Sequence, residues 1–407
     1  MISPARPIKT LLFSTLYPSS VRPGHGIFVE TRLRYLLATG EVETRVVAPV
    51  PWFPSQHPRF GAWAKLAATP RHEEHHGIAV WHPRYLLPPK IGMNIAPLML
   101  ALGARRTLAQ LIRDGFDFDL IDAHYYYPDG VAAAILAAWF NKPLVITARG
   151  TDLNLIPRYP IPRRWIRWTA GRAAASIGVC QALADEIVTL GGDVNKTHVL
   201  RNGVDLQRFQ PQDRQTARAR LGLPAGTLLL SVGNLVELKG HHLAIESLTQ
   251  LTDVILVIVG DGEERERLHQ QAHALSVSER VIFAGARPQT ELKDWYSAAD
   301  MLLLCSSREG WANVLLEAMA CGTPVVATAV GGTPEVVQSP VAGRIIQERT
   351  SAALVNGVRS LMDEYPDRAA VRAYAEQFDW AATTQGQIEL FRAVCGIHPF
   401  PQQSSVV

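Results

Sequence analysis

The chain has 407 residues, 47% hydrophobic and 19% charged, which excludes a disordered or fibrous protein and leaves room for two domains. Four cysteines, Cys180, Cys305, Cys321 and Cys395, form no C-x-x-C pair; this argues against a disulfide framework or cysteine zinc site and fits a reducing cytoplasm. The net charge of +3 hides an asymmetry, because residues 1–205 carry 23 Lys+Arg against 15 Asp+Glu and the remainder carries 17 against 22, so the front half favours an anionic partner.

In chain order, the run over Ile8–Phe13 has Lys9 before Leu11-Leu12-Phe13, but Ser14 and Thr15 cut the apolar stretch too short for a signal peptide. It is expected to be the first strand. A helix over 28–38 and a strand over 44–48 follow. His72-Glu73-Glu74-His75-His76 satisfies H-E-x-x-H, but Pro70 precedes it and strand-like alternation over 77–81 follows. A hairpin is expected there, not a zinc helix, which would have to place both histidines on one face. Helices are expected over 92–113, 130–140 and 163–174, with strands over 120–123, 144–147 and 176–180. Beyond a polar stretch at 202–217, broken by Pro211, strands are expected at 228–232, 254–259, 281–284, 301–305 and 325–328. An amphipathic segment over 380–394 comes last, and Pro399-Phe400-Pro401 is expected to end regular structure. No window of 18 apolar residues is read, so no membrane span is expected.

Strand and helix in alternation predict parallel sheets covered on both faces. So many strands exceed one open sheet. The expectation is an α/β protein of two tandem doubly wound domains, 1–205 and 206–379, facing across a cleft. A C-terminal helix and tail, 380–407, would pack back on the first domain. Such sheets bind ligands at the carboxyl ends of their strands, so function should sit in strand-to-helix loops.

The densest group of candidates is Ser306 to Val326. A strand runs into a polar loop carrying Glu309, then a helix from about Asn313 that carries Glu317. The amides at Gly310, Trp311, Ala312 and Asn313 open that helix, where an anion is favoured. Two carboxylates bracketing a phosphate-sized pocket suit the hydroxyls and diphosphate of a nucleotide sugar. In the front half, Gly24 and Gly26 follow the first strand and allow close backbone approach. His124 ends one strand and Arg149 and Asp152 end the next; both of the latter are candidate phosphate or acceptor contacts, and the Arg149 cation suits a donor or acceptor phosphate. Asp117-Phe118-Asp119 reads as D-x-D but lies at the entry of its strand, the wrong end for a ligand, and no metal is expected.

The Glu309 to Glu317 stretch resembles the E-x7-E signature of glycosyltransferase family 4, retaining enzymes of the GT-B fold. Val330-Gly331-Gly332-Thr333-Pro334-Glu335 is similar to the family's VGG-x-PE element, Gly260-Asp261-Gly262 to its GDG turn, and Arg201-Asn202-Gly203-Val204-Asp205 to its NGVD segment. Gly233 to Gly240 resembles the GRL-xxx-KG loop, with Asn234 where many members have Arg. The resemblance implies that Lys239, with Asn234 as a neutral donor, neutralises the leaving diphosphate, that Glu317 holds ribose hydroxyls and that Glu309 contacts the donor sugar. It places Gly24 and Gly26 in the family's N-terminal glycine loop and His124 as a second wall of the sugar site, and gives Glu309 and His124 catalytic roles. The donor phosphate itself takes the acceptor proton, and no cofactor is implied beyond the nucleotide sugar. The implied acceptor is a glycan or lipid-linked saccharide of cell-surface polysaccharide assembly. Two other readings share the fold: a nucleotide-sugar epimerase and a non-catalytic sugar-nucleotide-binding relative.

Arg158, Arg163, Arg164 and Arg167 cluster with Trp165 and Trp168, with no acid between Asp152 and Asp185. Basic and aromatic side chains together suit an anionic membrane surface, so the expected location is cytoplasmic and peripheral on the inner face of the membrane. Nucleic acid is not an expected partner.

Overall fold

The computed structural model describes residues 6–88 and 91–397. The described residues divide into two compact units, 6–201 with 382–397 and 202–381, so the first division falls a few residues before the expected 205/206 boundary.

The first unit contains β1 (Ile8–Phe13), β2 (Val42–Val47), β3 (Val50–Pro51), β4 (His72–His75), β5 (Ile78–Trp81), β6 (Arg84–Tyr85), β7 (Leu120–His124), β8 (Leu144–Ala148), β9 (Ala175–Gly178) and β10 (Thr197–Val199). Its main sheet has the order β10-β9-β8-β7-β1-β2-β5-β4, parallel except for the antiparallel β4–β5 hairpin, while β3 and β6 pair separately. The hairpin was expected; β3, β6 and β10 are too short to show a pattern. β7 and β8 are buried at every residue, as strands covered on both faces must be.

The second unit contains β11 (Thr227–Val232), β12 (Val254–Val259), β13 (Val281–Gly285), β14 (Met301–Leu304), β15 (Val325–Thr328) and β16 (Gly343–Ile346). They form one fully parallel sheet in the order β13-β12-β11-β14-β15-β16. Leu229, Leu256, Ile258, Met301, Leu303 and Val326 form its core with the helix Ser351–Asp363.

Strand order reverses between β1 and β7 in one unit and between β11 and β14 in the other. At such switch points the neighbouring loops diverge and leave a crevice.

The helix Ala381–Cys395 belongs to the first unit, where Ile388 and Phe391 pack with Ile8, Leu120, Val145 and Ile177, as expected. The end of regular structure expected at Pro399–Pro401 lies outside the described residues.

The helix Gly92–Arg113, 22 residues, is long and apolar enough to cross a membrane by length and composition. Its Leu100, Ala101, Ala104 and Leu108 are buried against β6 and the helix Val131–Phe140, and a core helix meets the same criterion.

Candidate active site

In the second unit the loops after β11 and β14 meet at the switch point. Ser307 N–H donates to the Leu238 carbonyl (2.8 Å), tying one loop to the other. Lys239 Nζ consequently lies 2.6 Å from Glu309 Oε1, and Ser306 Oγ donates to the same oxygen at 2.6 Å. Gly331 presses its Cα on the Glu309 carbonyl: at φ +51°, a Cβ there would stand 2.0 Å from that oxygen. The Gly332 N–H donates to the Gly310 carbonyl at 3.0 Å. The Val330 to Glu335 element therefore acts as a backbone clamp on the loop that presents Glu309.

Glu317 is buried on the helix Asn313–Ala320. Tyr296 OH donates to its Oε2 at 2.8 Å and Gln289 Nε2 to its Oε1 at 3.1 Å. Burial pushes the Glu317 pKa up, and these two bonds oppose that shift. Two carboxylate oxygens offer about four acceptor positions, so capacity for a ligand hydroxyl remains. Asn234 is exposed on the β11 loop, its carbonyl 3.2 Å from His241 Nε2.

Gly310, Trp311 and Ala312 are buried at the start of the helix, but its opening differs from expectation. The Asn313 N–H turns back to the Trp311 carbonyl (3.1 Å), so it is not presented to an anion as foreseen. The Asn313 side chain instead accepts from Asn202 Nδ2 at 3.3 Å.

In the first unit, His124 is 1% exposed at the end of β7. Its Nε2 lies 3.2 Å from Asp122 Oδ2, and Arg149 Nη2 contacts its Nδ1. Burial first, and then the Arg149 charge, hold the His124 pKa down at about 4 despite Asp122, so the ring is neutral near pH 7. The tautomer that satisfies both neighbours carries its proton on Nε2 and accepts from Arg149 on Nδ1. Both ring nitrogens are thus engaged, one by Asp122 and the other by Arg149. The half-buried Arg149 guanidinium also stands 5.3 Å over the Phe28 ring; burial and the charge of Arg32 bring its pKa down to about 9. Behind them, Asp122 Oδ2 accepts from Gln387 Nε2 (3.2 Å), and Gln387 Oε1 accepts from Arg32 Nε (2.5 Å).

Asp152, expected as a phosphate or acceptor contact, is fully buried. It accepts from the backbone of Tyr126 (2.7 Å), Gly150 (2.7 Å) and Arg149 (3.1 Å). It shapes the loop that carries Arg149. Gly24 and Gly26 are unlike each other. Gly26 has φ +70° and would place a Cβ 2.4 Å from the Leu16 carbonyl, while a Cβ on Gly24 meets nothing within 4 Å.

Several contributors escaped the sequence reading. Asp129 accepts from Thr15 N–H (2.7 Å) and Ser14 Oγ (3.2 Å) at the β1–β7 switch point, and burial lifts its pKa to about 7. Tyr296, Gln289, Gln387 and Arg32 have no local motif to announce them.

Glu30, His75 and His76 bring three potential metal-ligand atoms within 4.8 Å of one another, a set different from the H-E-x-x-H pair. On the helix Pro160–Ala170, Arg163, Arg164 and Arg167 are exposed, as is the preceding Arg158, while Trp165 and Trp168 are half-buried with ring centroids 5.7 Å apart.

A model describing glycosyl transferases group 1 matches residues 213–378, and one describing glycosyltransferase family 4 matches residues 24–208. The chain is 33% identical over 333 residues to TuaC of Bacillus subtilis (strain 168), provisionally named a teichuronic acid biosynthesis glycosyltransferase, covering 80% of this chain and 82% of that protein. It is 30% identical over 346 residues to D-inositol 3-phosphate glycosyltransferase 1 of Catenulispora acidiphila, covering 78% of this chain and 81% of that one. The crystal structure of Anabaena Alr3699/HepE in complex with UDP-glucose superposes with a TM-score of 0.70 at 25% identity, covering 94% of this chain and 98% of that chain. Each Rossmann-like unit agrees with the GT-B fold, and the chain belongs to glycosyltransferase family 4.

Proposed function

We propose that this glycosyltransferase moves a hexose from a nucleotide-diphosphate sugar to a glycan or lipid-linked acceptor in cell-surface polysaccharide assembly. Configuration is retained and no metal is required. UDP-glucose is the first donor to test, because Alr3699/HepE was crystallised with it. The acceptor setting draws on the name of TuaC, and the place of work is the cytoplasmic face of the membrane, by the exposed arginines around the helix Pro160–Ala170.

The observation that carries the reading is the Lys239–Glu309 pair at the switch point of the second unit. Negative charge grows on the leaving diphosphate as the glycosidic bond to it breaks, and a preorganised cation there lowers the barrier. Lys239 supplies that cation without a metal. Glu309, released from Lys239 by the incoming diphosphate, accepts from sugar hydroxyls, and Glu317 accepts from the ribose. Asn234 and the backbone of Gly310 to Ala312 line the diphosphate. Arg149, held by His124, binds a phosphate on the acceptor side. The departing phosphate oxygen takes the acceptor proton, so no separate base is called for.

The test is calorimetric titration of UDP-glucose in EDTA, with the product anomer read by NMR. Wild-type protein should bind and give the retained anomer. Lys239→Ala should weaken binding at least tenfold, the order of a lost charge-assisted contact. Turnover abolished by EDTA, or an inverted product, refutes the proposal.

A further inference from the structure

The loop that carries His124 continues into an apolar cavity of 1010 Å³ in the first unit. Trp52, Trp63, Tyr85, Leu86, Met93 and Tyr127 form much of its wall. The Tyr127 hydroxyl is spent on the Met93 carbonyl, so it adds no open polar group to the wall. Trp52 is 50% exposed, Leu86 56% and Trp63 41%. Large apolar side chains gathered around a concavity and left in water mark a ligand site, and the volume matches the upper end of small-molecule pockets.

Tyr125 joins this cavity to the polar network. It follows His124 directly, has φ +85°, and its ring lines the cavity. A bulky residue in the left-handed region is strained, and such strain persists where the surroundings over-determine it. Ile156 lines another wall, and the exposed Arg158, Arg163 and Arg164 follow it in the chain. Apolar walls whose Ile156 leads along the chain into a basic run complement a molecule with a hydrocarbon body and an anionic head. A saccharide in this cavity would leave its hydroxyls without partners, which is costly.

We infer that the cavity seats the hydrocarbon tail of a lipid-linked acceptor, with the acceptor's phosphate toward Arg149. The inference rests on the reading that the first unit takes the acceptor, and it narrows that acceptor to a lipid.

Farnesyl diphosphate, farnesol and inorganic diphosphate are titrated against the full chain, read by tryptophan fluorescence and calorimetry, with UDP-glucose titrated in parallel. Farnesyl diphosphate should bind about tenfold or more tightly than inorganic diphosphate, from apolar burial alone. Leu86→Asp with Met93→Asp should remove that advantage and leave UDP-glucose affinity unchanged; both side chains are exposed, so the fold tolerates the change. Equal affinity for farnesyl and inorganic diphosphate overturns the inference, and so does a double variant that still discriminates. A lipid-free dimer dissolved by the double substitution also overturns it, by assigning the cavity to a second copy. Failure of UDP-glucose to bind while tail discrimination persists refutes the donor reading and leaves the tail seat standing.

Discussion

Tyr296→Phe removes a single oxygen from beneath the candidate ribose site. The Tyr296 ring is fully buried and meets Phe209 edge-on at 6.0 Å, and both features survive the substitution. What is lost is the 2.8 Å bond to Glu317 Oε2, leaving the 3.1 Å bond from Gln289. A hydrogen bond to a charged acceptor contributes about 1.5–3 kcal/mol, against about 1 kcal/mol for a neutral pair. Burial already raises the Glu317 pKa, and the Tyr296 bond leads the interactions that lower it, so the variant's Glu317 titrates higher still. An acid with a folded pKa above its unfolded value binds more protons in the native state. Its contribution to stability therefore falls as pH rises from the unfolded value through the folded one. In the variant that fall extends to higher pH. Tyr296 remains a donor throughout, because burial and Glu317 hold its own pKa well above 10.0. The variant's deficit should therefore be modest near pH 5 and reach about 2 kcal/mol near pH 8, or about 4–8 °C in the melting temperature of a unit this size. UDP affinity should weaken in parallel. Equal deficits at the two pH values would show that Tyr296 supports Glu317 by shape and not through its charge.

Gly331→Ala should cost about 1–2 kcal/mol from its left-handed backbone alone, before the clash with the Glu309 carbonyl, and turnover should fall at least tenfold. Gly24→Ala, with nothing near its Cβ, should stay within about 0.5 kcal/mol of wild type in thermal unfolding; the reverse ranking would refute the clamp. Replacing Arg163 and Arg164 with Glu should reduce co-sedimentation with anionic liposomes by about 30-fold or more, since each near-surface cation contributes about 1 kcal/mol. Unchanged sedimentation would remove the membrane role of that helix.

What could be read in advance followed from how local each cause is. Val254–Val259 and Val325–Thr328 were legible to the residue because a strand covered on both faces reads as a nearly continuous apolar run. The Glu309 and Glu317 positions were legible because the spacing that brings them to the end of one strand and the next helix is local. The Asp122–Gln387 bond spans 265 positions and the Arg32–Gln387 bond 355, so no window of sequence holds either cause. The chemical state of His124 was hidden for the same reason. Its place at a strand end is local, but its neutral ring and its tautomer depend on burial and on Arg149 in the next strand's loop.

This difference also explains why Asp152 and Glu317, both buried carboxylates near strand ends, separate so cleanly. Asp152 is surrounded by backbone N–H groups of its own loop and the preceding one, so its charge is consumed in fixing local geometry. Glu317 is held by two side chains from a segment more than 20 residues away, on one hydrogen bond per oxygen. A carboxylate in the first setting orders a turn. One in the second keeps acceptor capacity at a fixed point in space, which is what recognition of a hydroxyl requires.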